Sequence, residues 1–305
     1  MNKNTIYFKQ VQLLVRILPL VATEKCFALK GGTAINLFVR DVPRLSVDID
    51  LVYLPMDERQ AALQNIRAAL TRISELIKAS LQGIQVQNAH EQSDALRLIV
   101  QQGDARIKVE LSPVIRGSVF PEKRMSVTQK VEENFGYAEI SVVSLPDLYA
   151  GKICAALDRQ HPRDLFDVKF LFENEGFTDD FRKTFLVYLI SHQRPMSELL
   201  NPHRKDIKDV YENEFVRMSQ IEVSVEELES VREYLIESIN SNMSADERKF
   251  LMSFKAKSPI WELLGVANAD EVKNLPSVRW KMRNLEQMPD KKHKDALAKL
   301  ETVLF

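Results

Sequence analysis

Asp48 and Asp50 stand two residues apart in the run Ser46-Val47-Asp48-Ile49-Asp50-Leu51, where polar and apolar side chains alternate. A period of two is that of an extended strand, so Ser46, Asp48 and Asp50 are predicted on one face, with Val47, Ile49 and Leu51 on the other. Two carboxylates about 7 Å apart along one strand can share a cation. Without one they repel, and one pKa rises until a proton is held. Magnesium removes that penalty, because it takes oxygen ligands and is held by one or two carboxylates together with substrate phosphates. Upstream, Gly31-Gly32-Thr33 precedes a short amphipathic stretch, Ala34 to Val39. Glycines let the backbone approach a ligand closely, and the unpaired N–H groups that open a helix favour phosphate. Either motif alone has an ordinary explanation, as a tight turn or as the polar face of an edge strand. Their combination, separated by a short helix and a turn at Pro43, predicts a site for a nucleoside triphosphate and a metal.

The elements that must hold these residues can be read from periodicity. Phe8, Val11, Val15 and Leu18 form one apolar stripe of a helix predicted to end before Pro19. A short strand, Cys26 to Leu29, leads into the glycine pair. From Asp57 as N-cap to Ser80, Leu63, Ile66, Leu70, Ile73 and Ile77 follow a helical period. Leu96 to Gln101 and Arg106 to Leu111 flank Gly103-Asp104 as a hairpin. In its second strand Arg106, Lys108 and Glu110 alternate with Ile107, Val109 and Leu111, giving a charged face that could lie beside Asp48 and Asp50. A strand at Glu139 to Val143 precedes a helix with Ser144 as N-cap and Asp147 in the first turn. That helix carries Lys152, breaks at His161-Pro162, and is followed by a second, Arg163 to Phe172. Beyond residue 176 the pattern is mostly helical and richer in charge.

With 305 residues and 45% hydrophobic content, the chain can bury one large core or two modest ones. The reading adopted is α/β of the α+β kind: an N-terminal lobe, 1–145, with a mixed, twisted sheet flanked by helices, and a helical lobe, 146–305. A net charge of −1 excludes an overall basic field, so any RNA partner must be held by a local patch. Residues 106–130 carry six cations against Glu110 and Glu122, which suits a phosphate backbone or, more simply, a solvated loop. Cys26 and Cys154 lack metal-like spacing and read as buried, reduced thiols of a cytoplasmic protein. No membrane span or targeting segment is expected, the N-terminus MNKNTIYFKQ included.

Taken in order, GGTAINL, RLSVDIDL, IKVEL and LYAGKICAALDRQHPRDLFDVKFL, with the late segment SPIWELLGVANADEVKNLPSVRWKMRNLEQM, resemble the AbiEii/MenT-type nucleotidyltransferase toxins. These belong to the DNA polymerase β-like nucleotidyltransferase superfamily. The resemblance implies a nucleotidyltransferase fold and transfer of NMP from an NTP to a hydroxyl acceptor, the 3′ end of tRNA, which blocks translation in a toxin–antitoxin or phage-defence setting. It implies Mg2+, two ions, with Mn2+ as an alternative, and a cognate antitoxin protein. Gly31, Gly32 and Thr33 match the nucleotide-phosphate loop, where many relatives have serine at the third position. Ser46 and Asp48 match the Ser/Thr-x-Asp motif, with Asp50 completing the metal pair and Glu110 as third carboxylate, where aspartate is commoner. Lys152 matches a lysine near the triphosphate, and Asp167 an acidic residue of the following helix, both contributed to the site by the helical lobe.

Each of these residues also has a plainer reading. Lys152 can be a solvated helix residue. Arg159, Arg163, Asp164 and Asp167 can be an ion-pair network across two helices, with Arg163 or Asp164 structural. Lys108 and Glu110 can be a strand edge, and His161 a turn residue. Arg279-Trp280-Lys281-Met282-Arg283 mixes cations with an aromatic ring, as RNA-binding surfaces do, or packs Trp280 between helices. Two other functional classes fit the same core: an aminoglycoside-type antibiotic-modifying nucleotidyltransferase, and a non-catalytic nucleotide-binding protein that acts through partner contacts.

Overall fold

The computed structural model describes residues 5–89 and 96–305, so the first four residues of the N-terminus lie outside it. The chain forms two compact units, one of Met1–Ser144 with Arg217–Glu222 and one of Leu145–Val216 with Val223–Phe305.

The first unit is built on a seven-stranded mixed sheet, in the order β3-β4-β5-β2-β1-β7-β6. The strands are β1 (Phe27–Lys30), β2 (Asp48–Tyr53), β3 (Ile84–Asn88), β4 (Arg97–Gln102), β5 (Ala105–Arg116), β6 (Lys123–Ser126) and β7 (Glu139–Val142). β2 runs parallel to β5 and antiparallel to β1, at the middle of the sheet. Pleating separates its two faces by parity. Ile49 and Leu51 of β2, and Ile107, Val109 and Leu111 of β5, are buried, whereas Lys108 and Glu110 are exposed. The apolar face is covered by α1 (Ile6–Val21) and α3 (Arg59–Ser80), whose buried residues Val11, Leu14, Leu18, Ile66, Ile73 and Ile77 follow helical spacing. A helix, α2 (Gly31–Ala34), continues as a π-helical turn, Ile35–Val39, directly from the end of β1. α4 (Gln129–Phe135) completes this unit.

The second unit is helical: α5 (Leu145–Arg159), α6 (Pro162–Asn174), α7 (Asp179–Ser191), α8 (Met196–Leu200), α9 (Lys208–Val210), α10 (Val225–Asn242), α11 (Ala245–Lys255), α12 (Ala269–Asn274), α13 (Pro276–Glu286) and α14 (Asp290–Leu304). α5 packs against α6 and α7, and α6 against α10. Its core includes Phe166, fully buried, with ring centroids 4.9 Å from Phe170 and 5.2 Å from Phe215. No helix among the described residues is long and apolar enough to cross a membrane.

Several local expectations are corrected. α1 runs through Pro19 to Val21, because proline forfeits one late hydrogen bond while Leu18 and Val21, both fully buried, hold the last turn on the core. α3 opens at Arg59 rather than at Asp57, whose carboxylate instead accepts from Tyr53 Oη at 2.6 Å and from Asn65 Nδ2 at 3.1 Å. Ser46 and Val47 precede the strand, which begins at Asp48. Cys26 is half-buried rather than buried, while Cys154 is buried. Residues 106–130 are not a loop: they form most of β5, β6 and the start of α4, and Arg116 is buried.

Truncating Phe166 to alanine should cost about 3–5 kcal/mol of stability, read as a fall in the urea midpoint of the full chain. A loss below about 1 kcal/mol, the range of surface substitutions, would contradict the packing described.

Candidate active site

The parallel pairing of β2 and β5 sets Asp48 opposite Lys108 and Asp50 opposite Glu110. Antiparallel pairing adds Lys30 of β1 opposite Asp50 and Arg97 of β4 opposite Glu110. One row across four strands therefore reads Arg97, Glu110, Asp50, Lys30, with Lys108 and Asp48 in the row two residues away. Residues paired in register share a face of the sheet, so these side chains form one polar field. The two central carboxylates are flanked by a cation at each end, which lowers the cost of holding them together.

The glycines are fixed by this field. Gly31 has φ +74°, and a Cβ added there would lie 2.5 Å from Asp50 Oδ2. A side chain there is thus disfavoured twice, by conformation and by the carboxylate, which would have to shift. A Cβ on Gly32 would lie 2.7 Å from Arg44 Nη2 and 3.1 Å from Ser46 Oγ. Thr33 Oγ1 shares a hydrogen bond with Ser46 Oγ at 3.0 Å and also donates to the Asp48 carbonyl oxygen. The first turn of α2 is thereby stitched to the segment entering β2. That segment is held in turn by a distant stretch of chain. Leu45 N donates to Met218 O at 2.8 Å, Gln220 N to Pro43 O at 2.9 Å, and Arg44 bridges to Ser219. Arg44 is 2% exposed and lies against Gly32.

Asp48, Asp50 and Glu110 are all hard oxygen donors, the ligand type magnesium takes. Among the described residues no three His, Cys, Asp or Glu side chains are gathered closely enough to hold an ion by themselves. The row does not form a closed protein cage.

In the second unit, Lys152 of α5 is 7% exposed and its ammonium donates to Asp164 Oδ1 at 2.9 Å and meets Asp167 Oδ2 at 3.0 Å. Arg159 also grips Asp164 through Nε, and through Nη2 at 2.9 Å. Burial alone would raise the Asp164 carboxyl, but the charges of Lys152 and Arg159, with their hydrogen bonds, outweigh it and hold the group well below its ordinary 3.8. The α5–α6 break places these partners: Pro162 takes the first helical position and His161 Nδ1 caps α6, accepting from Arg163 N at 3.1 Å. His161 is therefore a helix cap, and its Nε2 meets Glu214 at 3.1 Å.

Lys108 and Glu110 thus lie beside Asp48 and Asp50, as their alternation suggested. Lys152 is not solvated; it is enclosed with Asp164 and Asp167. Arg44 and residues 217–222 are positioning elements without a role legible from the sequence motifs. Arg44 stands two positions before Ser46 in RLSVDIDL, where its type is a signal, whereas nothing local to residues 217–222 announces their pairing with residues 43–45.

A family model described as nucleotidyl transferase AbiEii toxin, type IV toxin–antitoxin system, matches residues 12–284. Among solved structures, MenT4, a nucleotidyltransferase toxin from Mycobacterium tuberculosis H37Rv, is similar in fold, with a TM-score of 0.63 at 15% identity over 98% of this chain and 95% of that one. The structure of JHP933 from Helicobacter pylori matches with a TM-score of 0.42 and 17% identity, over 76% of this chain and 93% of that one. No curated protein matches the sequence.

Because the Asp164 carboxyl is depressed in the fold, its contribution to stability is complete above its unfolded pKa, near 3.8, and is lost as pH falls toward the folded value. An acid titration of the folded fraction should show this loss below about pH 4. Asp164→Asn should remove that limb and, by leaving Lys152 less well paired in a buried place, cost about 3–5 kcal/mol at pH 7. An acid limb unchanged in the variant would show that Asp164 does not carry it.

Proposed function

The chain belongs to the AbiEii nucleotidyl transferase toxin family of type IV toxin–antitoxin systems, and from that premise we propose that it transfers a nucleoside monophosphate from an NTP to a hydroxyl at the 3′ end of tRNA, blocking translation until a cognate antitoxin restrains it. The observation that carries the reading is the meeting of Gly31 with the Asp50 carboxylate, beside the register pair Asp50 and Glu110.

In the proposed reaction the acceptor hydroxyl oxygen bonds to the α-phosphorus as the bond from that phosphorus to the bridging oxygen breaks. Pyrophosphate leaves, and the hydroxyl proton passes to a carboxylate of the Asp48, Asp50 and Glu110 row. Gly31 and Gly32 keep side chains away from the backbone, so that the phosphates can approach the opening turn of α2. Thr33 and Ser46 hold that turn against β2. Lys108 and Lys30 limit the repulsion between triphosphate and carboxylates. Asp48, Asp50 and Glu110 would hold Mg2+, which when bound polarises phosphate oxygens and lowers the pKa of the attacking hydroxyl. For Lys152 and Asp167 the assignment to triphosphate handling rests on the family motif. Their ion pair supports Asp167 as the group that orients Lys152.

Incubation with each of the four labelled NTPs, Mg2+ and total RNA should place label in tRNA-sized material. Asp48→Ala and Asp50→Asn should each lower this transfer at least a hundredfold, about 2.7 kcal/mol in the barrier, with little change in melting temperature. Label absent from RNA but present on an aminoglycoside would select the antibiotic-modifying reading. Full growth inhibition by Asp48→Ala would select the non-catalytic one.

Gly31→Ala should abolish transfer while costing roughly 1–3 kcal/mol of stability, the scale of a strained backbone position. Wild-type transfer by this variant, measured in the same assay, would remove the glycine from the phosphate cradle.

A further inference from the structure

Three lysines of the helical unit, Lys255, Lys281 and Lys292, take no part in the proposed reaction. Lys255 is the last residue of α11 and is 7% exposed. Among the described residues its ammonium has no hydrogen-bond or ion-pair partner. His293 Nε2 meets the Lys255 carbonyl oxygen at 2.7 Å, which ties the first turn of α14 to the end of α11 and brings the exposed Lys292 alongside. Lys281 lies on α13 in line with the buried Ser277 and Leu285, four residues to either side. Its ammonium donates to the carbonyl of His192, and to those of Gln193 at 3.3 Å and Arg194 at 3.4 Å, beyond the end of α7.

These carbonyls account for the position of Lys281 and leave Lys255 unexplained. Burial lowers the Lys255 ammonium, and the charge of Lys292 adds to the effect. Burial pushes Lys281 down to about 8, with Lys255 adding to it. No carboxylate enters either balance. A buried ammonium without a counter-charge is costly, and a neighbouring like charge makes it more so.

We propose that Lys255, Lys281 and Lys292 form a phosphate-binding site that takes a phosphodiester of the RNA acceptor. An anion would replace the missing counter-charge, and lysine serves phosphate as a point charge without demanding a fixed fork geometry. A polymer is favoured over a free ion because the same two helices carry further exposed cations, Arg279 and Arg283 one turn apart on α13 and Lys291 and Lys294 on α14. The inference rests on the transferase reading for the identity of the polymer alone.

The test is fluorescence anisotropy of a labelled RNA hairpin with the full chain, in chelator and without NTP, so that binding is read apart from catalysis. Lys292→Glu is compared with Lys78→Glu, an equal charge change at an exposed position of the other unit. Lys292→Glu should weaken RNA binding at least fivefold and reduce the slope of log Kd against log salt by about one. Lys78→Glu should leave both near wild type. Lys281→Met, with its melting temperature checked, should repeat the loss. In a parallel arm, inorganic phosphate should raise the melting temperature of the wild type and not of Lys292→Glu. Equal behaviour of Lys292→Glu and Lys78→Glu would overturn the site. A phosphate effect without an RNA effect would overturn the polymer. Weaker RNA binding by Lys292→Glu in a chain that transfers no nucleotide would support the site while the transferase reading fell.

Discussion

The alternation of side chains along β2 and β5 is the constraint on which the first unit depends. Two strands in parallel register cannot bury Ile49, Leu51, Val109 and Leu111 on one face without displaying Asp48, Asp50, Lys108 and Glu110 on the other. A slip of one residue would drive four charged groups into the apolar layer beneath α1. The polar field is therefore fixed by the same packing energy that fixes the sheet. Its carboxylates stay adjacent because separating them would mean undoing the core.

Placing acids side by side still requires relief of their repulsion, and the two units achieve it differently. In the sheet, Arg97 and Lys30 stand in register beside Glu110 and Asp50, so that each carboxylate has a cation on the neighbouring strand. In the helical unit, Lys152 and Arg159 close on Asp164 with Lys152 also on Asp167, and the charges are matched within the protein. A buried ion pair of this kind is weak as a source of net stability, but removal of one partner strands the other. Its physical effect is to hold α5 and α6 in one arrangement. The lysines Lys255, Lys281 and Lys292 differ from both, since among the described residues no carboxylate offsets the charge of Lys255 or Lys281.

How much of this was legible in the sequence depended on the range of the interaction concerned. Period-two alternation marked Asp48, Asp50, Lys108 and Glu110, and the Gly103-Asp104 turn marked the hairpin that carries two of them, because strand parity and hairpin closure are local. The break at His161-Pro162 was local too. Pro19 does not end its helix because burial of the last turn outweighs one missing hydrogen bond, and Asp57 does not cap α3 because Tyr53 and Asn65 compete for its carboxylate. The alternation extends to Ser46, whereas the strand begins at Asp48 and the Ser46 hydroxyl is bound to Thr33 outside the ladder. The pairing of residues 217–222 with residues 43–45 joins positions more than 170 residues apart in the numbering, and no periodicity records it.

That distant pairing bears on the site itself. Residues 43–45 lead directly into Ser46, and Arg44 lies against the Cα of Gly32 while bridging to Ser219. The glycine turn is thus bounded on one side by Asp50, a residue of the central sheet, and on the other by an arginine held through a late segment of the chain. Loops seldom keep a fixed shape without such support, since an unsupported turn gives up conformational entropy on binding and holds its ligand less well. Here the turn has little freedom left to lose. Gly31 accommodates the carboxylate and Gly32 the guanidinium, so the two glycines answer different neighbours although they are adjacent and alike. Their pairing in the sequence therefore records two separate steric demands, one from the acidic row and one from the segment that positions Ser46.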